Sequence, residues 1–322
     1  MMNHTYQIDN AHIQSNIQSW QPLKPNDVVD IIAPAAKCHP GVLTGVKNLL
    51  ESWQLKCNIP TDLFGEDLLF ANSDEKRFEQ LKEALCNSTS KAVWCLLGGY
   101  GSAKLIPQLC KLTPPSQSKI FMGFSDITAL HIFLQEKWGW STIHAPSARQ
   151  AGINKVATTS MDILKSMIFA EKKSLVYDAI TPLNALAKTA RQIHAPIIGG
   201  NLHLIQASLG TQWQMSANDK IIFIEEINER AYRIDRILEH LKQAGVLSQA
   251  KAILFGDLLG GDEADGSNLI AATIHQFAER APIPVLQIAN VGHGPINNPI
   301  ILGATTTLTL GETSSLTFHS TF

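Results

Sequence analysis

The sequence predicts an α/β protein of two units: an N-terminal parallel sheet with crossover helices, then a smaller, β-rich α/β unit. Three observations predict it. Between residues 27 and 135, short apolar runs without alternation are each followed by a segment of helical spacing, as expected of parallel strands buried on both faces. In the second half strands become more frequent, and "IILGATTTLTLGE" has the alternating, threonine-rich character of an antiparallel or mixed sheet. A chain of 322 residues also suits two ordinary cores, divided near residue 170 into 1–170 and 171–322, with the chemistry expected in the cleft between them.

Taken in order, "DVVDIIAPAA" (27–36) is a strand that runs into a proline loop. "HPGVLTGVKNLLESWQ" sets Val42, Val46, Leu49 and Leu50 at helical spacing. "NSDEKRFEQLKEAL" opens with Asn72 or Ser73 as N-cap, has acids in its first turn, and repeats Phe78, Leu81 and Leu85 on one face. "KAVWCLL" and "SKIFMGF" are buried strands, each followed by glycine and a helix. Residues 181–198 read as a connection into the second unit, and 199–210 as a glycine-opened helix. "DKIIFIEE" is a strand, "YRIDRILEHLKQAGVL" an amphipathic helix stopped at Gly245, and "AKAILFGDLL" and "PVLQIAN" are further strands.

Hydrophobic residues make up 45% and charged residues 17%, as in an ordinary globular protein. Lys+Arg 26 against Asp+Glu 28 gives a formal charge of −2, and no basic run is interleaved with aromatics, which disfavours nucleic acid as the main partner. The polar start "MMNHTYQIDNAHIQSNIQSW" lacks a signal pattern and no long apolar span follows, so a soluble cytoplasmic protein without a membrane partner is expected. Cys38, Cys57, Cys86, Cys95 and Cys110 are odd in number and include no CxxC pair. Reduced thiols, with Cys95 in the core, fit better than disulfides or a zinc site.

Ser125, in "GFSDITALH", stands where a strand turns into a helix. That position lifts a side chain above the sheet and aims helix N–H groups at an anion beside it, which suits a nucleophile. It also suits a helix cap through the N–H of Ile127 or Thr128. Isoleucine at 127 breaks the G-x-S-x-G elbow pattern, so both readings stand. A nucleophilic serine needs a base, and His293 in "NVGHGPINN", His131 and His144 compete for that role. Glu225 and Glu226 end an apolar strand, so one of them is expected to face the cleft and orient the base. Glu229, Arg230, Arg233, Asp235 and Arg236 also read as a charged helix face. The loop "LLGGYGSAKLI", with Gly98, Gly99 and Gly101, lets backbone approach a ligand closely and could supply an oxyanion donor, although no nucleotide fingerprint is present.

Six stretches, "KPNDVVDIIAPA", "LLGGYGSAKLI", "GFSDITALH", "APIIGGNLHLIQASLGT", "FIEEINERAYRIDRILEHL" and "VGHG…ILGA", occur in the order and rough spacing of the LD-carboxypeptidases, the S66 serine peptidases. The sequence resembles that family from about Leu23 to Leu310. The resemblance implies a Rossmann-like N-terminal domain, a β-rich C-terminal domain, and a cytoplasmic enzyme of peptidoglycan recycling that removes the terminal D-alanine from murein tetrapeptides without metal or other cofactor. It places a triad on Ser125, Glu225 and His293, and oxyanion N–H groups on Asp126 and Gly99. Gly98, Tyr100 and Arg236 are candidates for substrate contact, with Arg233 and Lys104 as further cations for the substrate carboxylate. Family members are commonly homodimers. The chain departs from the family pattern at Leu97, Ala145 and Glu226, where arginine, glycine and aspartate are usual. Two other readings are a same-family hydrolase of aminoacyl-nucleotide toxins and a non-catalytic protein that binds cell-wall peptides or a nucleotide.

Overall fold

The computed structural model describes residue 18 and residues 20–319; apart from those positions, the polar N-terminal stretch lies outside the described residues. The strands in chain order are β1 (Val28–Ile32), β2 (Lys56–Asn58), β3 (Ser90–Cys95), β4 (Ile120–Gly123), β5 (Thr142–His144), β6 (Ser174–Pro182), β7 (Arg191–Asn201), β8 (Ile221–Ile227), β9 (Ala252–Leu259), β10 (Val285–Ile288), β11 (Ile300–Leu302), β12 (Thr305–Leu310) and β13 (Ser314–His319). Six of them form an open sheet in the order β11-β5-β4-β3-β1-β2, and seven close into a barrel in the order β10-β6-β13-β12-β7-β8-β9. The open sheet is parallel except for β11, which returns from the far end of the chain to pair antiparallel with β5, Ile300 opposite His144.

The apolar runs become buried strands because helices cover the sheet on both faces. Along β1 and β3, Val29, Ile31, Ala92 and Trp94 enter one core, while Ile32, Val93 and Cys95 enter the other. The barrel divides in the same way: Ile221 and Phe223 of β8 join the first core, and Ile222 and Ile224 the second. The amphipathic helix Ala231–Gln243 adds Ile234, Ile237, Leu238 and Leu241 to the second core. Each large aliphatic side chain so buried contributes about 1.5–3 kcal/mol relative to exposure. Ser73 is the N-cap of the helix Asp74–Cys86, its Oγ accepting the Lys76 N–H, while Asn72 Oδ1 holds the Ser73 N–H one residue earlier.

Two expectations are corrected. The stretch 181–198 is no mere connection, since from Arg191 onward it belongs to β7, a strand of the barrel that pairs antiparallel with β12 and parallel with β8. The glycines at 199 and 200 end that strand, and the helix begins at Leu202. A β carbon on Gly199 would lie 2.1 Å from the Phe223 carbonyl oxygen, and one on Gly200 would lie 2.4 Å from Thr128 Oγ1, so these glycines serve close approach. "IILGATTTLTLGE" is likewise two strands, broken at Gly303 (φ +87) as the chain crosses from the open sheet to the barrel.

Candidate active site

At the end of β4 the chain passes through extended Phe124 into a short 3-10 turn, Ser125–Ile127, and then the helix Thr128–Trp138. Ser125 has φ +63, a left-handed conformation that a side chain resists. Its hydroxyl does not cap the helix. The Ile127 N–H donates to the Phe124 carbonyl at 3.2 Å, and the Thr128 N–H is met by the carbonyls of Asp126 and Ser125. The capping alternative therefore has no bond behind it, and a backbone held in such an unfavoured conformation costs about 1–3 kcal/mol.

The barrel supplies the other groups. Glu225, near the end of β8, is fully buried, and its Oε2 lies 2.6 Å from His293 Nδ1. Gly292, just before the histidine, has φ +148, and a β carbon there would stand 3.1 Å from Asp257 Cβ and 3.3 Å from the Asp257 carbonyl oxygen. With Nδ1 donating to the carboxylate, Nε2 carries the lone pair of a base. Phe124, next to Ser125, lays its ring 4.7 Å from the imidazole centroid, so the serine turn and the histidine loop meet across the two sheets.

Burial alone would push the His293 pKa down, but the hydrogen-bonded Glu225 carboxylate, with help from the Glu226 charge, outweighs it and holds the imidazole above its ordinary value. Glu226 is otherwise occupied, accepting from Asn201 Nδ2 at 2.8 Å, the Ile227 N–H at 2.9 Å and the His203 N–H at 3.0 Å. Of the two neighbouring acids, Glu225 is the one whose carboxylate meets an imidazole ring.

Among the remaining candidates, Gly98 presses on the serine turn, since a β carbon there would lie 2.9 Å from Ser125 Cβ and 3.2 Å from the Asp126 nitrogen. Gly99, with φ +95, packs against Ala36. Tyr100 is exposed and leans on Phe70, ring centroids 5.4 Å apart. Lys104 is paired with Asp74 at 2.8 Å, and Arg233 with Glu229 at 3.5 Å. Arg236 rests 5.6 Å from the exposed Tyr232 ring and makes no ion pair among the described residues. His131 and His144 are fully buried and meet no acid among the described residues: His131 Nε2 bonds the Gly123 carbonyl at 2.9 Å, and His144 packs edge-on to Phe124 and Phe223.

Two neighbours of the site went unread in the sequence. In the sequence Phe124 reads only as the end of an apolar run. Asp257, on β9, accepts the Asn290 N–H at 3.1 Å and so steadies the loop that carries His293; burial raises its carboxyl pKa. A charge inside the apolar run "AILFGDLL" was the available signal.

Comparison with known proteins gives the same frame. The LD-carboxypeptidase N-terminal domain matches residues 29–145, and the LD-carboxypeptidase C-terminal domain matches residues 194–308. A carboxypeptidase-class protein of Rickettsia conorii is 40% identical over 286 residues, 86% of each chain. A murein tetrapeptide carboxypeptidase of Pseudomonas aeruginosa is 27% identical, over 91% of this chain and 96% of its own. The crystal structure of an MccF-like protein from Bacillus anthracis superposes with a TM-score of 0.81 at 22% identity, covering 94% of this chain and 99% of its own, which shows a shared fold. With both domains matched in order, the chain belongs to the S66 family of LD-carboxypeptidases and is a serine-type carboxypeptidase, a hydrolase.

Proposed function

We propose that this enzyme removes the terminal D-alanine from murein tetrapeptides in cytoplasmic peptidoglycan recycling, with Ser125 as nucleophile, His293 as base and Glu225 as the orienting acid. The observation that carries the reading is the 2.6 Å contact of His293 Nδ1 with buried Glu225, one aromatic ring away from the strained Ser125 turn. Ser125 Oγ attacks the carbonyl carbon before the D-residue while its proton passes to His293 Nε2. Glu225 stabilises the imidazolium that results. The Asp126 and Gly99 N–H groups bind the oxyanion, a role worth about 10²–10³ in kcat for a single donor. Collapse breaks the C–N bond, His293 returns the proton to the leaving amine, and water then hydrolyses the acyl-enzyme. Arg236, with no ion pair among the described residues, is our choice for the substrate carboxylate, with Gly98 and Tyr100 beside the reacting end.

We place the boundary between the two domains near residue 170, and a homodimer is the assembly we expect. No helix of the described residues is long and apolar enough to cross a membrane.

The test is D-alanine release from L-Ala-γ-D-Glu-diaminopimelate-D-Ala by wild type and Ser125→Ala, followed by mass spectrometry. Release by wild type and near-complete loss in Ser125→Ala supports the reading; comparable activity in the variant refutes the nucleophile. The fold shared with the MccF-like protein and the departure at Leu97 favour one second reading, the same acyl chemistry on aminoacyl-nucleotide analogues. Turnover of such an analogue, with none of the tetrapeptide, would select it.

A further inference from the structure

Asp126 enters the mechanism above only through its main-chain N–H, yet its side chain is buried and reaches the glycine loop. Asp126 Oδ2 accepts the Ser102 N–H at 2.8 Å, and the Ser102 hydroxyl donates back to the Asp126 carbonyl oxygen at 2.7 Å. These two bonds clasp the segment that carries Ser125 to the segment that carries Gly99.

The sheet does not supply that connection. The ladder between β3 and β4 pairs Ala92 with Ile120 and ends at Trp94 opposite Met122, short of both loops. Two oxyanion donors on separate loops must be aimed within a few tenths of an ångström, so something beyond the ladder has to set their spacing. On its outer side the glycine loop is held by Arg77, whose buried guanidinium donates to the carbonyls of Gly101, at 3.1 Å, and Pro34. The Ala36 N–H adds a bond to the Gly98 carbonyl at 3.1 Å. Burial raises the Asp126 pKa, while the N–H groups of Ser102 and Gly101 and the Arg77 charge oppose that rise. A buried carboxylate is costly unless it accepts hydrogen bonds, and here Oδ2 accepts one from Ser102, at the end of the glycine loop.

We propose that the Asp126 side chain is a positioning residue for the oxyanion hole, fixing the glycine loop against the serine turn so that the Asp126 and Gly99 N–H groups converge. The inference rests on the reading of Ser125 as nucleophile, and its test separates the two. A fluorophosphonate probe reports both: Ser125 Oγ forms the P–O bond, fluoride leaves, the serine proton passes to His293, and the phosphonyl oxygen occupies the oxyanion hole. Asp126→Asn keeps the size of the side chain but turns one acceptor into a donor facing N–H groups. We expect Asp126→Asn to be labelled about 10- to 100-fold more slowly than wild type, with the pH midpoint of labelling unchanged because His293 and Glu225 are untouched. On a turned-over substrate, kcat falls by a similar factor and KM stays within about threefold. Ser102→Ala, which removes the hydroxyl bond to the Asp126 carbonyl, is expected to slow labelling a few-fold, and Asp126→Ala, which keeps the main-chain N–H but loses the acceptor for the Ser102 N–H, decides the matter if Asp126→Asn does not fold. Wild-type rates in the folded variants, with Ser125→Ala unlabelled, overturn the positioning role alone. Labelling of Ser125→Ala at the wild-type rate overturns the nucleophile and this inference with it.

Discussion

At Glu225 the decisive fact is the partner of a single oxygen. Its Oε2 holds His293 while burial excludes water, so the carboxylate favours the imidazolium that the reaction needs. Because the His293 pKa is raised and the base must be neutral, kcat/KM is expected to climb with pH through a midpoint above the ordinary histidine value of about 6.5. Glu225→Gln removes the first raising influence; the midpoint then moves down and kcat drops at least about 100-fold, both read from a pH–rate profile. A flat profile between pH 5 and 9 would count against His293. Gly98 makes a second residue-scale prediction. The β carbon of Gly98→Ala meets Ser125 Cβ at 2.9 Å and backbone at 3.1–3.2 Å, none of which can swing aside, so kcat is expected to fall about 100-fold or more. Gly210→Ala is the contrast: nothing lies within 4 Å of the new carbon, and with φ +72 only the backbone cost of about 1–2 kcal/mol is expected, read by denaturant unfolding.

Among the elements, the helix Asp74–Cys86 gives a stability test, since Ser73→Ala removes the bond to the Lys76 N–H and is expected to cost about 1 kcal/mol in urea unfolding. That helix was legible because cap, acidic first turn and apolar repeat agree. So were β1, β3 and β4, where continuous apolar runs reflect burial on both faces. β7 was not, because "RQIHAPII" includes Arg191, Gln192 and His194 on an exposed half, a proline, and two glycines that imitate a helix start. β6, mostly open with only Tyr177 and Ile180 buried, and β13, whose residues alternate between buried and more open sides, were also missed, and with them the closure of the barrel. The site shows the same division. Ser125 and its turn are local in sequence, but Glu225 and His293 are 68 positions apart, and only a resemblance that spans the chain could join them beforehand. The clasp between Asp126 and Ser102 has no periodicity to reveal it.

For the whole molecule, acid is the expected weakness. Burial lowers the His131 pKa from 6.5 to about 4 and sets His144 well below 6.5, so both are neutral in the fold and take up protons on unfolding. Their contribution is intact above the unfolded pKa of about 6.5 and is lost as pH falls toward the folded values, by about 1.4 kcal/mol per pH unit for each. His144→Leu, which gives up no hydrogen bond of the described residues because neither ring nitrogen has one, should flatten that acid limb in urea melts taken from pH 7 to 4.5. An unchanged slope would show that His144 protonates without penalty. The return of β11 to β5 reaches further, into the order in which the protein is made. While the ribosome is still adding strands β6 to β10, the edge of β5 that pairs with β11 has no partner strand, and it waits for residues 300–302. The N-terminal half is therefore synthesised with an open sheet edge that β11 later seals. Expressed by itself, residues 1–170 should be prone to aggregate, and the arrival of β11, rather than completion of the first half, is the step expected to close that edge to neighbouring chains.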